Sequence, residues 1–112
     1  MRILVVEDEA LVREVAVAVL EEAGHLVVEA ADGEEALELI QGNTFDALFT
    51  DIKLPGRDGW TVAEDFRAVF PHAPVVFATG YAPRYQTFPH SILLNKPYRP
   101  AQVLQALTKL AA

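Results

Sequence analysis

The chain has no cysteine in its 112 residues, so it forms no disulfide and holds no metal through thiolate. That absence fits a cytoplasmic setting. Basic residues are also scarce: nine Lys and Arg stand against sixteen Asp and Glu, for a net charge of −7. A nucleic-acid partner calls for a basic face, and none is available here. Apolar runs extend for only a few residues, and the segment after Met1 lacks a signal-peptide pattern. Neither a membrane span nor an export signal is therefore expected. Aromatic content is 9% with a single Trp, and the six glycines form no phosphate-cradling loop after any apolar run.

What the chain does have is hydrophobic content of 52%, enough for one domain over residues 1–112 with a continuous core. Short apolar runs alternate with stretches of helical period. Ile3-Leu4-Val5-Val6 reads as a buried strand, followed by a helix burying Leu11, Val12, Val15, Ala16, Val19 and Leu20 and stopped by Gly24. Asp8 is a candidate cap for that helix, with Glu9 in its first turn. Leu26-Val27-Val28, with polar ends, reads as an edge strand. Asp32-Gly33 opens a short helix burying Ala36, Leu37, Leu39 and Ile40.

The segment Phe45–Gly56 is central. Ala47, Leu48 and Phe49 form an apolar run that ends in Asp51, and a Pro-Gly turn follows. Asp58-Gly59 then opens a helix with Trp60 at its start and Val62, Ala63, Phe66, Val69 and Phe70 on its apolar face. Val75–Ala78 and Ile92–Leu94 are two further strands, and Pro100 sits in the first turn of a last helix burying Val103, Leu104, Leu107 and Leu110. Strict alternation of this kind predicts an α/β doubly wound domain with a five-stranded parallel sheet. One connection breaks the rhythm. From Gly80 to His90 the chain carries Pro83 and Pro89 and no apolar face at helical spacing, so a loop with at most one helical turn is expected.

Four strands deliver polar residues to one sheet edge: Glu7-Asp8, Asp51, Thr79 and Lys96. Ligands of open α/β sheets bind at that edge. If the first and third strands are adjacent, three carboxylates converge, and their repulsion would raise pKa values or demand a cation. Oxygen ligands without His or Cys suit Mg²⁺. Thr79 and Lys96 offer a hydroxyl and a point charge for phosphoryl oxygens, and Asp51 is placed to become an aspartyl-phosphate. His25, His72 and His90 share no ligand spacing and read as surface or packing residues. Trp60 reads as core.

Val5-Val6-Glu7-Asp8-Glu9, Asp51–Gly56 with Asp58-Gly59, Thr79-Gly80 and Lys96-Pro97-Tyr98 together resemble the signature of response-regulator receiver domains over the whole chain. The resemblance implies a flavodoxin-like sheet of order 2-1-3-4-5 and a cis Lys96–Pro97 bond. It also implies Asp51 as phosphoacceptor from a sensor histidine kinase or histidine phosphotransfer protein. Asp8, Asp51 and the backbone carbonyl of Lys53 would bind Mg²⁺, with Glu7 acting through water, while Thr79 and Lys96 would take the phosphoryl oxygens. The domain would be no enzyme beyond its own phosphorylation and dephosphorylation, and it carries no DNA-binding output domain in these residues.

Two departures from the family pattern stand out. Leu93 occupies the position of the family's signalling aromatic, and the family's fourth helix is expected to be shortened or absent. Pro74–Tyr81 is similar in part to single-domain receivers with a Phe-Ala-Thr-Gly-Tyr-like motif, from which Val75 and Ala82 depart. Lys96–Pro100 resembles receivers at the C-terminus of hybrid kinases. A Mg²⁺-dependent phosphohydrolase with the same Asp nucleophile is a rival, but such enzymes commonly carry an acid two residues on, where this chain has Lys53. A flavodoxin-like nucleotide or flavin binder is a third reading.

Overall fold

A computed structural model describes residues 1–80 and 88–111. In chain order these form β1 (Arg2–Val6), α1 (Ala10–Glu22), β2 (Leu26–Ala30), α2 (Gly33–Gly42), β3 (Ala47–Asp51), α3 (Gly59–Val69), β4 (Val75–Thr79), β5 (Ser91–Asn95) and α4 (Pro100–Ala111). The five strands make one parallel sheet in the order β2-β1-β3-β4-β5. The expected edge position of β2 and the flavodoxin-like order both hold. The expectation of a loop in place of a further helix falls chiefly on residues 81–87, which lie outside the described residues.

Strand alternation divides the core into two layers, because successive side chains point to opposite faces. Leu4, Val6, Leu48, Val75 and Phe77 pack against Ala36 and Ile40 of α2 and Val62, Ala63 and Phe66 of α3. Ile3, Val5, Ala47, Phe49, Val76 and Ala78 pack against Ala16, Val17 and Leu20 of α1 and Val103, Ala106 and Leu107 of α4. β3 and β4 are therefore covered on both sides, which is why their sequences read as continuous apolar runs. Trp60 is core, as expected, with its ring 4.4 Å from that of Phe77.

Two helix starts are as read. Asp32 accepts a hydrogen bond from the Glu35 amide at 2.8 Å, and Asp58 accepts one from the Thr61 amide at 2.9 Å. The start of α1 differs. Glu9 holds the N-cap position and its side chain makes no capping bond. Asp8 stands one residue too early to reach the first helical amides, so its carboxylate stays at the sheet edge.

The apolar face of α1 is also narrower than expected: Leu11 is 77% exposed and Val15 53%. Leu11 precedes the buried Leu20 by nine residues, which at 3.6 residues per turn puts it about half a turn away, on the side facing water. Val69, the last residue of α3, is likewise 51% exposed. Near the entry to β5, the Arg67 guanidinium lies over the Phe88 ring and donates to the carbonyls of Pro89 and His90 at 2.9 and 3.2 Å.

Gly24 closes α1 with a φ of +95°, a left-handed value that suits glycine. Gly59 is needed for a different reason. Its amide donates to the Ile52 carbonyl at 2.6 Å, and a Cβ at this position would lie 2.1 Å from the Asp51 carbonyl oxygen. The start of α3 is thus pressed against the backbone of the residue that ends β3. Gly59→Ala is expected to lower unfolding free energy by about 3 kcal/mol or more, since the obstacle is backbone and cannot swing aside. Gly42→Ala, where a new methyl meets open space, should change stability by less than about 1 kcal/mol. Urea unfolding of both variants checks the contrast.

Candidate functional site

All five strands run the same way, so residues at their carboxyl ends collect along one rim. Because β1 neighbours β3, Glu7 and Asp8 after β1 meet Asp51 at the end of β3. One oxygen from each of the three carboxylates can be chosen so that all lie within 4.8 Å of one another. Glu7 and Asp51 are buried and Asp8 is exposed. Between the two buried acids stands Lys96, one residue past β5. Its Nζ donates to Glu7 Oε1 and to Asp51 Oδ2, each at 2.9 Å. The peptide bond from Lys96 to Pro97 is cis, and the Lys96 amide donates to the Thr79 carbonyl at 2.7 Å, fixing the lysine to the end of β4.

The charges respond to this crowding. Burial, chiefly, pushes the Glu7 carboxyl above its ordinary range. The hydrogen bonds from Lys96 and the Glu9 amide work against that shift, while the charge of Asp51 adds to it. For Lys96, burial alone would lower the pKa, but the two carboxylates outweigh it and hold the ammonium firmly protonated. The Tyr98 phenol is pushed up to about 12, first by burial and then by the Glu7 charge. Its ring stands edge-on to Phe49 at 5.5 Å, and its hydroxyl is buried with no partner among the described residues.

Three carboxylates against one ammonium leave two formal negative charges at the rim. This donor set is oxygen only, which fits a hard divalent cation of the Mg²⁺ kind. A cleft of about 400 Å³ opens over it, lined by Asp8, Glu9, Asp51, Lys53, Leu54, Pro55, Gly80 and Lys96. Lys53 is exposed at this cleft. Thr79 is buried at the end of β4, and its neighbour Gly80, not Thr79 itself, lines the cleft wall. Calls resting on Tyr81, Ala82 and Tyr85 lie outside the described residues. None of the three histidines joins the cluster: His72 and His90 are exposed, and His25 accepts from the N-terminal amine at 3.1 Å.

A second concavity escaped the sequence reading. A groove of about 620 Å³ is lined by Leu11, Val12 and Val15 of α1 together with Pro97 and Tyr98 before α4 and Pro100 at its start, and Glu9 and Lys96 belong to both cavities. The signal was present in α1, whose apolar positions span more than one helical face.

Residues 3–108 match the family profile described as a response regulator receiver domain. The receiver domain of the hybrid histidine kinase CckA is 38% identical, with a TM-score of 0.88 and full coverage of both chains. A response regulator receiver protein from Sinorhizobium medicae is 34% identical at a TM-score of 0.92, over 98% of this chain and 93% of that one. The receiver domain of a Pseudomonas aeruginosa sensor histidine kinase, solved with magnesium coordinated in its active-site cleft, is 26% identical at 0.85, over 99% and 98%. Curated relatives are longer: this chain spans 9–40% of their lengths.

The raised pKa of Glu7 has a stability consequence with a definite sign. The fold favours the protonated form, so this group's contribution is full below the unfolded value of 4.5 and is lost as pH rises through the folded value. In EDTA, Glu7→Gln should therefore gain on the wild type as pH goes from 4.5 to 7.5. Denaturant unfolding at several pH values measures the difference, and a gap that stays flat would contradict it.

Proposed function

The chain belongs to the response regulator receiver family, and on that premise we propose that Asp51 is its phosphoacceptor. The donor would be a phosphohistidine on a sensor histidine kinase or histidine phosphotransfer protein. One observation carries the reading: Asp51 shares a single ammonium with Glu7, beside Asp8, at a cleft of about 400 Å³ that is open to a phosphoryl donor. Asp8, Asp51 and the Lys53 carbonyl would hold Mg²⁺, with Glu7 acting through water. The ion would neutralise charge on the incoming phosphoryl oxygens. An Asp51 oxygen attacks phosphorus, the bond to the donor's nitrogen breaks, and the imidazole leaves with the electron pair. Lys96 then has an anionic oxygen to follow, since its ammonium already sits on Asp51. The Thr79 hydroxyl, at the end of the neighbouring strand, donates to another.

The groove beside the cleft supports a protein donor over a small molecule. Leu11 and Val15 expose apolar surface on a helix that starts at the acidic rim, and such a stripe fits a partner's amphipathic helix. On this reading the domain catalyses only its own phosphorylation and dephosphorylation, and it acts in the cytoplasm by protein contact. Among the described residues no helix is long and apolar enough to cross a membrane. A place within a hybrid histidine kinase is the second reading, favoured by the likeness to the CckA receiver. Sequencing the flanking reading frame separates the two.

Incubated with a small acyl phosphate and Mg²⁺, the wild type should gain one labile phosphoryl group by intact mass, and Asp51→Asn none. Persistent acyl-phosphate labelling of the Asn variant would sink the assignment. Leu11→Glu should leave labelling by the small donor unchanged but slow transfer from a phosphohistidine protein by roughly tenfold, the cost of about 1.4 kcal/mol at one contact residue. Equal loss with both donors would mean that the groove is not a docking surface.

A further inference from the structure

Asp8 is the exposed member of the acidic cluster, and its carboxylate makes no hydrogen bond or ion pair among the described residues. The backbone on either side of it therefore sets where its Cα–Cβ bond points, and with that the arc its carboxylate can reach. One residue grips both sides. The Arg13 guanidinium donates through Nη1 to the Glu7 carbonyl at 2.7 Å, and the Arg13 amide donates to the Glu9 carbonyl at 2.9 Å. The guanidinium is itself tethered, with Nε on Glu29 Oε1 of β2 at 3.1 Å. Its side chain is 19% exposed, well inside the surface for an arginine.

We infer that Arg13 is a positioning residue that aims the Asp8 carboxylate at the cation site. This rests on the reading above that the acidic cluster holds a divalent cation. An amide rung of α1 could be supplied by any residue except proline, but the bond to the Glu7 carbonyl comes from the side chain alone. It crosses the turn that carries Asp8 and fixes the plane of the peptide linking Glu7 to Asp8. Outer partners of this kind hold ligands in register, and removing one typically weakens metal binding by about 10–100-fold.

The sign of the effect separates aiming from simple charge. A guanidinium near a cation site repels the cation, so if Arg13 acted through charge alone its removal would tighten Mg²⁺ binding. Positioning requires the opposite.

The test is calorimetric titration of the metal-free protein with MgCl₂, alongside its melting temperature in EDTA, for wild type, Arg13→Gln and Arg13→Lys. The Gln variant should bind Mg²⁺ about tenfold more weakly. The Lys variant, which keeps the charge but cannot fork between Glu7 and Glu29, should fall between. Unchanged or tighter binding in the Gln variant overturns the proposal, even if its melting temperature drops, because that is what a purely structural arginine would give. Should the Gln variant fail to fold, the Lys variant decides: weaker binding supports the role and wild-type affinity refutes it. A wild type that ignores Mg²⁺ would remove the cation reading itself, and Arg13's role with it.

Discussion

One ammonium group holds the functional edge of this molecule together. Lys96 lies between two buried carboxylates, one just past β1 and one at the end of β3, and bonds to both. Burying a carboxylate costs several kcal/mol unless charge and hydrogen bonds offset it. The lysine supplies both, and the bond from its amide to the Thr79 carbonyl ties its backbone to the end of β4. The strand order then follows as a requirement. β1 and β3 must be neighbours to bring the acids together, and β5 must reach them across β4.

Much of this was legible in the sequence, for a physical reason. Strands covered on both faces must be apolar throughout, so Ile3–Val6, Ala47–Phe49 and Val75–Ala78 announced themselves. Asp32 and Asp58 marked helix starts because a short side-chain acceptor is what free amides need. Strand order was not in the periodicity; it came from the motif resemblance. The face of α1 was misjudged because apolarity alone does not say whether the covering surface is the sheet or a partner. Leu11 and Val15 satisfy the same spacing rule as Leu20 while lying on the other side of the helix.

Contacts that depend on two distant segments were invisible. The closeness of Gly59 to the Asp51 carbonyl exists only because the turn after β3 folds back under α3, and nothing at residue 59 signals it beyond glycine itself. Arg13 is the same kind of case, since its partners are Glu7, just past β1, and Glu29 of β2. Glu9 and Lys96, which border both the cleft and the groove, tie the chemistry to the surface beside it. A partner lying in the groove would touch the same lysine that Asp51 uses.

The bond between Lys96 and Glu7 spans 89 residues, from the first strand to just past the last. Synthesis runs in that order, so an emerging chain carries its acids long before the cation that neutralises them. β5 is also an outer strand, added to a sheet whose other four members can already pair. A chain ending before Ser91 would lack the ammonium that bridges Glu7 and Asp51. On the reading of Asp51 as phosphoacceptor, the last strand would complete the site as well as the sheet, because it carries the chain to the one ammonium that both buried acids share.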